Sequence, residues 1–288
     1  MASRLPVVRN HHDLRAAVQR WRRGGKSVAL VPTMGYLHEG HLSLVRLARK
    51  HAKRVVVSIF VNPTQFGPTE DFAAYPRDEQ GDWDKLAKVN TDLLYAPPVE
   101  EIYPDDFSTR VEVIGLTSGL EGASRPHHFA GVTTVVTKLF LQCLPDVALF
   151  GEKDYQQLLT LRQLARDLNV PIKIISGPTA RAPDGLALSS RNAYLTPHER
   201  SLAPHFHAVL QAVAADLAGG RPVHEAVFIG RDRLEGAGFR VDYVEARGAE
   251  TFLPVERSIE EPARVLGAVF LGRVRLIDNV AVAPPRSA

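Results

Sequence analysis

The sequence predicts an α/β fold, a doubly wound parallel sheet followed by a second, smaller α+β domain. Short apolar runs, typical of buried strands, alternate with segments of helical periodicity over residues 1–179. The rest of the chain has helical segments followed by strand-like runs that short turns connect. We therefore expect one domain over residues 1–179 and a smaller one over residues 180–288.

Strands are predicted where a short apolar or β-branched run is bounded by turn residues. In the first domain such runs cover residues 28–31, 54–61, 92–96, 111–116, 147–150 and 171–176. Pro32 should end the first of these strands, because proline cannot donate a hydrogen bond to a ladder. In the second domain the runs cover residues 239–245, 265–271 and 274–278.

Helices are predicted where apolar residues recur every three to four positions. The first such segment should begin after a cap at Asn10 or Asp13 and end at Gly24. Further helices are expected over residues 42–50, 132–140, 158–168 and 223–234. A capping box that begins at Thr196 should start one helix that continues through Val213.

Composition excludes several classes of protein. Hydrophobic residues at 45% and charged residues at 23% match an ordinary globular chain. A net charge of +3 is too small to favour a nucleic-acid partner. The single cysteine, Cys143, excludes an internal disulfide framework and fits a reducing compartment, so we expect a cytoplasmic location. No apolar run reaches the roughly 18 residues of a membrane span, and we expect no membrane partner.

Two histidines lie where the first strand meets the following helix. Residues 32–41, PTMGYLHEGH, place His38 and His41 three positions apart, with Gly35 and Gly40 beside them. If the helix already includes His41, the two rings share a face near its N-terminus, where anions are attracted. Two imidazole donors there would suit a polyphosphate. A strand–helix corner with two exposed histidines fits the same pattern.

Polar residues also follow the next strand. Residues 62–67, NPTQFG, form a turn at a strand's carboxyl end, where parallel sheets bind ligands. A turn has no need of glutamine, so Gln65 is a candidate ligand group. Further along stand the acids Asp78, Glu79, Asp82 and Asp84. They could hold a cation, but acids favour the first turn of a helix, and we expect a solvated helix start there.

Three later segments carry residues that suit phosphate. The loop at 119–131 contains Arg125 and His128 and is either a lid or an ordinary connection. Lys153 follows a strand and precedes a helix, so it is either a crevice residue or a plain surface lysine. The hydroxyls of Ser189 and Ser190 and the cation of Arg191 could bind phosphates. Alternatively, these residues simply precede a helix. The dinucleotide fingerprint and the P-loop are both absent, so a phosphate site would be of another kind.

Five segments together resemble one family. They are PTMGYLHEGH at 32–41, VSIFVNPTQF at 57–66, LEGASRPHHFAGV at 120–132, LFGEKDYQQL at 149–158 and DGLALSSRNAYLT at 184–196. The first is similar to the His-x-Gly-His motif of nucleotidyltransferases. In this order the segments closely resemble the pantothenate synthetase (pantoate–β-alanine ligase) family. That resemblance implies a Rossmann-like sheet and ATP-dependent condensation of (R)-pantoate with β-alanine, through pantoyl adenylate, with release of AMP and pyrophosphate.

The resemblance also implies site residues. The implied catalytic residues are His41 as the family's acid, His38, Lys153, Ser189, Ser190 and Arg191. The residues implied to contact ATP are Met34, Gly35, Tyr36, Leu37, His38, Glu39, Gly40, His41, Gly151, Glu152, Lys153, Asp154, Ala180, Leu188, Ser189, Ser190 and Arg191. Pantoate would be bound by Gln65 and Gln157, and β-alanine by Gln65. Residues 1–179 would bind nucleotide and pantoate, and residues 180–288 would form a lid.

The resemblance extends to cofactor and partners. Mg²⁺ should accompany ATP, held mainly by phosphates and water, and we assign it no protein ligands from the acids at 78–84. The family is usually dimeric, so a homodimer is expected. His127 stands where the family more often has glycine. Two other functions stay open at this point: another nucleotidyltransferase on the same fold, which would need more cations around Gln65 and Gln157, and a nucleic-acid-binding module.

Overall fold

The computed structural model describes residues 5–68 and 70–284. The chain divides into two compact units. The first comprises Met1–Glu152 and Gln156–Pro178, and the second comprises Lys153–Tyr155 and Thr179–Ala288.

A six-stranded parallel sheet forms the centre of the first unit. Its strands are β1 (Val7–Val8), β2 (Val28–Thr33), β3 (Arg54–Ile59), β4 (Leu93–Tyr95), β5 (Val147–Gly151) and β6 (Lys173–Gly177). Their order across the sheet is β1-β4-β3-β2-β5-β6. The chain runs outward from β2 through β3 and β4, and then returns to the other side of β2 for β5 and β6. The predicted doubly wound sheet is confirmed, and its strand order reverses between β2 and β5, where such sheets bind ligands.

Helices connect these strands. They are α1 (His11–Arg23), α2 (Glu39–His51), α3 (Glu79–Lys88), α4 (Val99–Ile102), α5 (Glu121–Ser124), α6 (His128–Cys143) and α7 (Tyr155–Asp167), with short 3-10 helices at Pro63–Gln65 and Glu152–Asp154. The Asn10 side chain caps α1 by accepting a hydrogen bond from the Asp13 N–H at 2.8 Å, as expected. Val31, Val45 and Val57 join β2, α2 and β3 in one apolar core. That core fixes the strand ends that carry the candidate site.

Pro32 does not end β2, contrary to the prediction. The strand continues to Thr33, and Pro32 pairs in register with Ser58 of β3. On its other side, β2 pairs with β5 only at Ala29 and Leu30. Beyond Leu30 the strand therefore has a neighbour on one side only, and the missing N–H of proline leaves no ladder bond broken there.

The predicted strand at 111–116 is absent. This segment is held by α6 and not by the sheet: the Val111 N–H donates to Thr134 Oγ1 at 3.0 Å, and the Val111 carbonyl accepts from Thr133 Oγ1 at 2.6 Å. The following segment, 119–131, is likewise more regular than a loop. It contains α5, and α6 begins at His128 and not near Val132.

An antiparallel three-stranded sheet forms the second unit together with three helices. The strands are β7 (Arg240–Gly248), β8 (Ala263–Leu271) and β9 (Val274–Val282), in the order β7-β8-β9. The helices are α8 (Pro197–Leu202), α9 (Pro204–Ala218) and α10 (Val223–Gly236), and a short 3-10 helix covers Ser190–Tyr194. Apolar residues of α9, α10 and the sheet share one core, which includes Phe206, Leu234 and Val265.

The helix predicted to run from Thr196 through Val213 is two helices. The Thr196 capping box exists as predicted, because Thr196 Oγ1 accepts from the Glu199 N–H and the Glu199 carboxylate accepts from the Thr196 N–H. Pro204 interrupts the predicted helix, because it has no backbone N–H to donate to a carbonyl of the preceding turn. It occupies the first position of α9, where proline is favoured.

Within residues 5–68 and 70–284, none of the helices combines the length and apolar character that crossing a membrane requires.

Candidate active site

The turn between β2 and α2 has two consecutive residues in the left-handed region. Gly35 has φ +81° and Tyr36 has φ 50°. The Asp82 carboxylate accepts hydrogen bonds from two consecutive backbone amides, the Tyr36 N–H and the Leu37 N–H, at 2.7 Å each. A Cβ at Gly35 would lie 3.2 Å from Asp82 Oδ2. Glycine therefore gives this carboxylate room, and Asp82 fixes the backbone just before His38.

Asp82 is not part of a solvated helix start, contrary to the prediction. Asp78 does cap α3, because its Oδ1 accepts from the Gly81 N–H at 2.9 Å. One turn later, Asp82 is only 1% exposed. Burial raises its pKa above the ordinary value, although both amides and Lys85, whose Nζ lies 3.6 Å away, favour the charged form. The Asp82 carboxylate therefore stabilises the turn between β2 and α2. In residues 5–68 and 70–284, no group of three or more His, Cys, Asp or Glu side chains is placed to hold a metal ion.

His38 and His41 cap the N-terminus of α2 with their side chains. His38 occupies the N-cap position, and its Nδ1 accepts from the Gly40 N–H at 3.1 Å. His41 Nδ1 accepts from the His38 N–H at 3.3 Å. The two ring centroids lie 4.1 Å apart. The first backbone amides of a helix have no partner within the helix, and here two such amides donate to the imidazole rings.

These bonds determine which ring nitrogen carries the proton. A neutral imidazole has one N–H donor and one acceptor nitrogen, and the acceptor here is Nδ1 in both rings. The proton of each neutral ring therefore lies on Nε2. Two Nε2–H donors at the positive end of a helix dipole can bind an anionic oxygen.

Asn62 organises the turn after β3. Its Oδ1 accepts from Thr64 Oγ1 and from the Tyr103 hydroxyl, each at 2.9 Å. Its Nδ2 donates to Gln65 Oε1 at 3.1 Å and to the Gly131 carbonyl at 3.0 Å. The side chain is 1% exposed, so Asn62 is a buried support for the turn.

Gln65 lies against the turn that follows β2. Its side-chain Nε2 is 2.9 Å from Met34 Sδ, and the residue is 8% exposed. The ends of β2 and β3 therefore bring together Met34 and Gln65, two of the site residues that the resemblance implied. A neutral amide at this place can orient a hydroxy acid without neutralising its carboxylate.

The start of α6 packs against the backbone of Gln65. Its carbonyl accepts from His128 Nδ1 and from Arg125 Nη2, each at 3.1 Å. A carbonyl only accepts, so Nδ1 of His128 carries the hydrogen. Burial, together with the nearby Arg125, lowers the pKa of His128 to about 4. The ring is therefore a neutral donor near pH 7.

Arg125 has carboxylate partners of its own. Its Nε donates to Glu70 at 2.9 Å and its Nη1 donates to Glu121 at 3.0 Å. Burial acts to raise the pKa of Glu70, but the hydrogen bond and charge of Arg125, together with smaller contributions from the Gly67 amide and His128, lower it overall. Of the two interpretations of this loop, these contacts favour the ordinary connection over a phosphate lid.

Two adjacent glutamines in the first turn of α7 differ in their contacts. Gln156 is buried and donates to the Leu116 and Gly119 carbonyls, at 2.8 and 2.9 Å. Gln157 is half-buried, and within the described part of the chain its side chain makes no hydrogen bond. Gln156 therefore supports the preceding segment, and Gln157, which the resemblance implied for pantoate, has its amide available for a ligand.

Several of the residues that the resemblance implied for ATP lie in or beside a hairpin of the second unit. Arg181 pairs with Ala187 in an antiparallel bridge, and the Leu188 N–H donates to the Ala180 carbonyl at 2.9 Å. Ser189 then caps the 3-10 helix, since its Oγ accepts from the Arg191 N–H at 3.3 Å. Ala180, Leu188 and Ser189 thus lie close together.

Lys153 belongs to the same compact unit as this hairpin. It lies in the 3-10 helix Glu152–Asp154, with its Nζ 3.6 Å from Asp154 Oδ1. The partly exposed ammonium thus belongs to a residue two positions after Gly151, which ends β5.

Sequence reasoning missed the supporting residues. The sequence alone indicates only that Asn62 forms a turn. The feature that could have indicated a supporting role is its position between a buried strand and Gln65. Asp82 stands one helical turn before Leu86, which is fully buried, so that spacing places Asp82 on the buried face of α3.

Comparison with known proteins decides the family. The sequence profile of the family described as pantoate-beta-alanine ligase matches residues 6–281. The chain belongs to the pantoate–β-alanine ligase family. It is therefore an enzyme, a ligase of pantothenate biosynthesis, and the resemblance found in the sequence is confirmed.

Relatives and solved structures agree along nearly the whole chain. A pantothenate synthetase of Rhodospirillum rubrum is 54% identical over 279 residues, covering 96% of this chain and 99% of the relative. That of Paramagnetospirillum magneticum is 53% identical, covering 99% and 100%. A pantothenate synthetase structure from Thermus thermophilus has a TM-score of 0.92 at 48% identity, covering 97% and 100%. A pantoate-beta-alanine ligase structure from Francisella tularensis, complexed with beta-gamma ATP and beta-alanine, has a TM-score of 0.82 at 34% identity, covering 96% and 97%.

Proposed function

We propose that this family member condenses (R)-pantoate with β-alanine to form pantothenate by an ATP-dependent route through pantoyl adenylate. The observation that carries this proposal is the mutual cap of His38 and His41, in which Nδ1 of each ring accepts an amide, so that the proton of each neutral ring lies on Nε2 at the N-terminus of α2. A beta-gamma ATP ligand in the Francisella tularensis relative supports ATP as the substrate.

In the first step, a carboxylate oxygen of pantoate attacks the α-phosphorus of ATP, and pyrophosphate leaves. Charge develops on the leaving phosphates, so donors that are already in place stabilise the transition state. We assign this role to His38 and His41, with Met34 and its neighbours up to residue 41 lining the nucleotide site. Gln65 and Gln157 hold pantoate through neutral amides.

In the second step, the amine of β-alanine attacks the acyl carbon of pantoyl adenylate, and AMP leaves. A free carboxylate does not undergo this substitution at a useful rate, whereas an acyl adenylate has a good leaving group. Gln65, which lies beside Met34, is assigned to β-alanine as well, because the resemblance implies it. The Francisella tularensis relative with bound beta-alanine supports this substrate.

The resemblance implies further phosphate contacts for this reaction. Lys153, with its partly exposed ammonium, acts as a phosphate clamp, and residues 188–191 close over the nucleotide beside Ala180. Residues 151–154 complete the ATP site. Mg²⁺ enters with ATP and is held mainly by phosphate oxygens and water.

The homodimer and the cytoplasmic location stay predictions. The first rests on the family and the second on the single cysteine. Light scattering on the purified chain measures the oligomeric state directly.

Pantoate labelled with ¹⁸O in its carboxylate tests the proposed route. Attack at the α-phosphorus places one labelled oxygen between the acyl carbon and phosphorus, and it leaves with AMP when β-alanine attacks, so mass spectrometry should find ¹⁸O-labelled AMP only when pantoate, ATP, Mg²⁺ and β-alanine are all present. Without β-alanine, the enzyme should still catalyse pantoate-dependent exchange of pyrophosphate into ATP. Release of ADP with label in inorganic phosphate would instead indicate attack at the γ-phosphorus and overturn the proposal.

A further inference from the structure

Strand β9 carries two adjacent polar residues that are almost fully buried. Asp278 is 4% exposed and Asn279 is 3% exposed. Side chains of adjacent strand residues point to opposite faces of a sheet, so these two can reach different segments of the chain. Burial of polar groups is unfavourable unless they are hydrogen-bonded, and both side chains are.

Asp278 binds the hairpin that precedes Ser189. Its carboxylate accepts from Nη1 and Nη2 of Arg181, at 2.6 and 2.9 Å, in the bidentate arrangement that makes such pairs strong. Arg181 Nη1 also donates to the Gly185 carbonyl at 3.1 Å, across the hairpin. His207 Nδ1 lies 3.1 Å from the same carboxylate. The root of the hairpin is therefore fixed to β9.

Asn279 binds the other candidate phosphate segment. Its Nδ2 donates to the Lys153 carbonyl at 3.0 Å, and its Oδ1 accepts from Arg264 Nη1 at 2.6 Å. Arg264 in turn lies over the ring of Tyr155, 4.1 Å from its centroid. The Tyr155 hydroxyl donates to the Ala249 carbonyl at 2.8 Å. The segment Lys153–Tyr155 is thus tied to the antiparallel sheet.

We propose that Asp278 and Asn279 are positioning residues that hold two ATP-binding segments, Lys153 and residues 188–191, at a fixed separation. Because the two residues are neighbours on one strand, the backbone of β9 sets the distance between the segments that they bind. The Asn279 N–H also donates to Asp278 Oδ1 at 2.7 Å, which links the two side-chain contacts directly. This inference rests on the proposed function, since it takes both segments as binding ATP.

The substitution Asn279→Asp tests the contact with Lys153. It keeps the size of the side chain and an oxygen for Arg264, but it replaces the donor to the Lys153 carbonyl by a second acceptor. We expect the KM for ATP in pyrophosphate exchange, and the Kd for α,β-methylene-ATP by calorimetry, to rise roughly tenfold. The KM for pantoate should stay within about twofold, because the proposed pantoate ligands Gln65 and Gln157 belong to the other compact unit.

Arg181→Lys is the second variant. It keeps the charge beside Asp278 but cannot form the bidentate pair, and we expect the same rise in both constants for ATP. Asp242→Asn is the matched control, because Asp242 forms the corresponding ion pair with Arg275 of β9, with Nη2 and Oδ2 2.7 Å apart. The control should alter the melting temperature at most.

The outcomes separate the possible failures. If wild-type enzyme neither binds α,β-methylene-ATP nor exchanges pyrophosphate, the proposed function is wrong. If wild-type enzyme does both, and folded Asn279→Asp and Arg181→Lys bind ATP as the control does, Asp278 and Asn279 have a purely structural role. An equal rise in the KM for ATP and for pantoate would also overturn the positioning role, because it would indicate a general loss of folded structure.

Discussion

The imidazoles of His38 and His41 lie with their ring centroids 4.1 Å apart, and each accepts a backbone amide of the same helix start through Nδ1. One pair of side chains thereby performs two tasks. The Nδ1 atoms cap the helix, and the Nε2–H groups are the donors that the proposed adenylation needs. The two tasks can be separated by substitution.

His38→Asn should keep the cap and lose the donor. Asparagine is among the best N-cap residues, so its oxygen can replace Nδ1 as the acceptor for the Gly40 N–H. It has no group at the position of Nε2. We expect an unchanged melting temperature and a fall in pyrophosphate exchange of roughly tenfold or more. In His38→Ala, by contrast, stability should fall too, by about 1 kcal/mol.

His41→Ala should lower adenylation by about two orders of magnitude or more, since a donor to the leaving phosphates is lost. His41→Gln distinguishes hydrogen-bond donation from proton transfer, because a glutamine amide can donate in place of Nε2–H but cannot act as an acid. We expect His41→Gln to recover at least about tenfold of the lost rate in single-turnover measurements. Equal rates for the glutamine and alanine variants would argue for proton transfer.

Gln65→Glu should specifically impair pantoate use. The substitution keeps the shape of the side chain but places a carboxylate beside the carboxylate of pantoate, and like charges repel. We expect the KM for pantoate to rise by about an order of magnitude or more, with the KM for ATP little changed. Gln19→Glu is a suitable control, because it makes the same change of charge at an exposed position of α1. An unchanged KM for pantoate would show that Gln65 does not bind pantoate.

His128 should make stability depend on pH. Its pKa is lowered from the ordinary 6.5 to about 4, mainly by burial, so between these values the unfolded chain binds more protons than the folded one. The stabilisation is fully present above pH 6.5 and is lost as pH falls toward 4. We expect His128→Gln to reduce the loss of unfolding free energy between pH 7 and pH 5 by roughly 1–2 kcal/mol. Urea titrations at the two pH values measure this, and parallel curves would contradict it.

The sequence predicted the sheet well because buried parallel strands appear as short apolar runs. The six-stranded order confirms the doubly wound arrangement, and five of the six runs predicted in the first domain coincide with strands. The segment at 111–116 has the same apolar character, but threonines of α6 bind its backbone. Such a long-range competitor is not visible in a local pattern. The split between α8 and α9, however, could have been predicted from Pro204.

The candidate site shows the same division. The spacing of His38 and His41 indicated an anion site, but the mutual cap depends on side-chain rotamers that spacing does not determine. The bond from the Leu37 N–H to Asp82 joins residues 45 positions apart, so the acidic segment could not be linked to the histidine turn from sequence alone. The Asp278 contact with Arg181 spans 97 positions and was invisible for the same reason.

Gly131→Ala should damage the pantoate end of the site through the backbone. A Cβ at Gly131 would lie 2.4 Å from the Thr64 carbonyl oxygen and 2.6 Å from the Gln65 nitrogen, so α6 and the 3-10 turn would have to separate. We expect a loss of about 1–3 kcal/mol in unfolding free energy and a higher KM for pantoate. Gly236→Ala is the matched control, since it lies at the end of a helix with nothing within 4 Å of the added carbon. That substitution should be neutral or stabilise by up to about 1 kcal/mol. If both variants bind pantoate equally well in calorimetry, the close packing of α6 against the turn does not position Gln65.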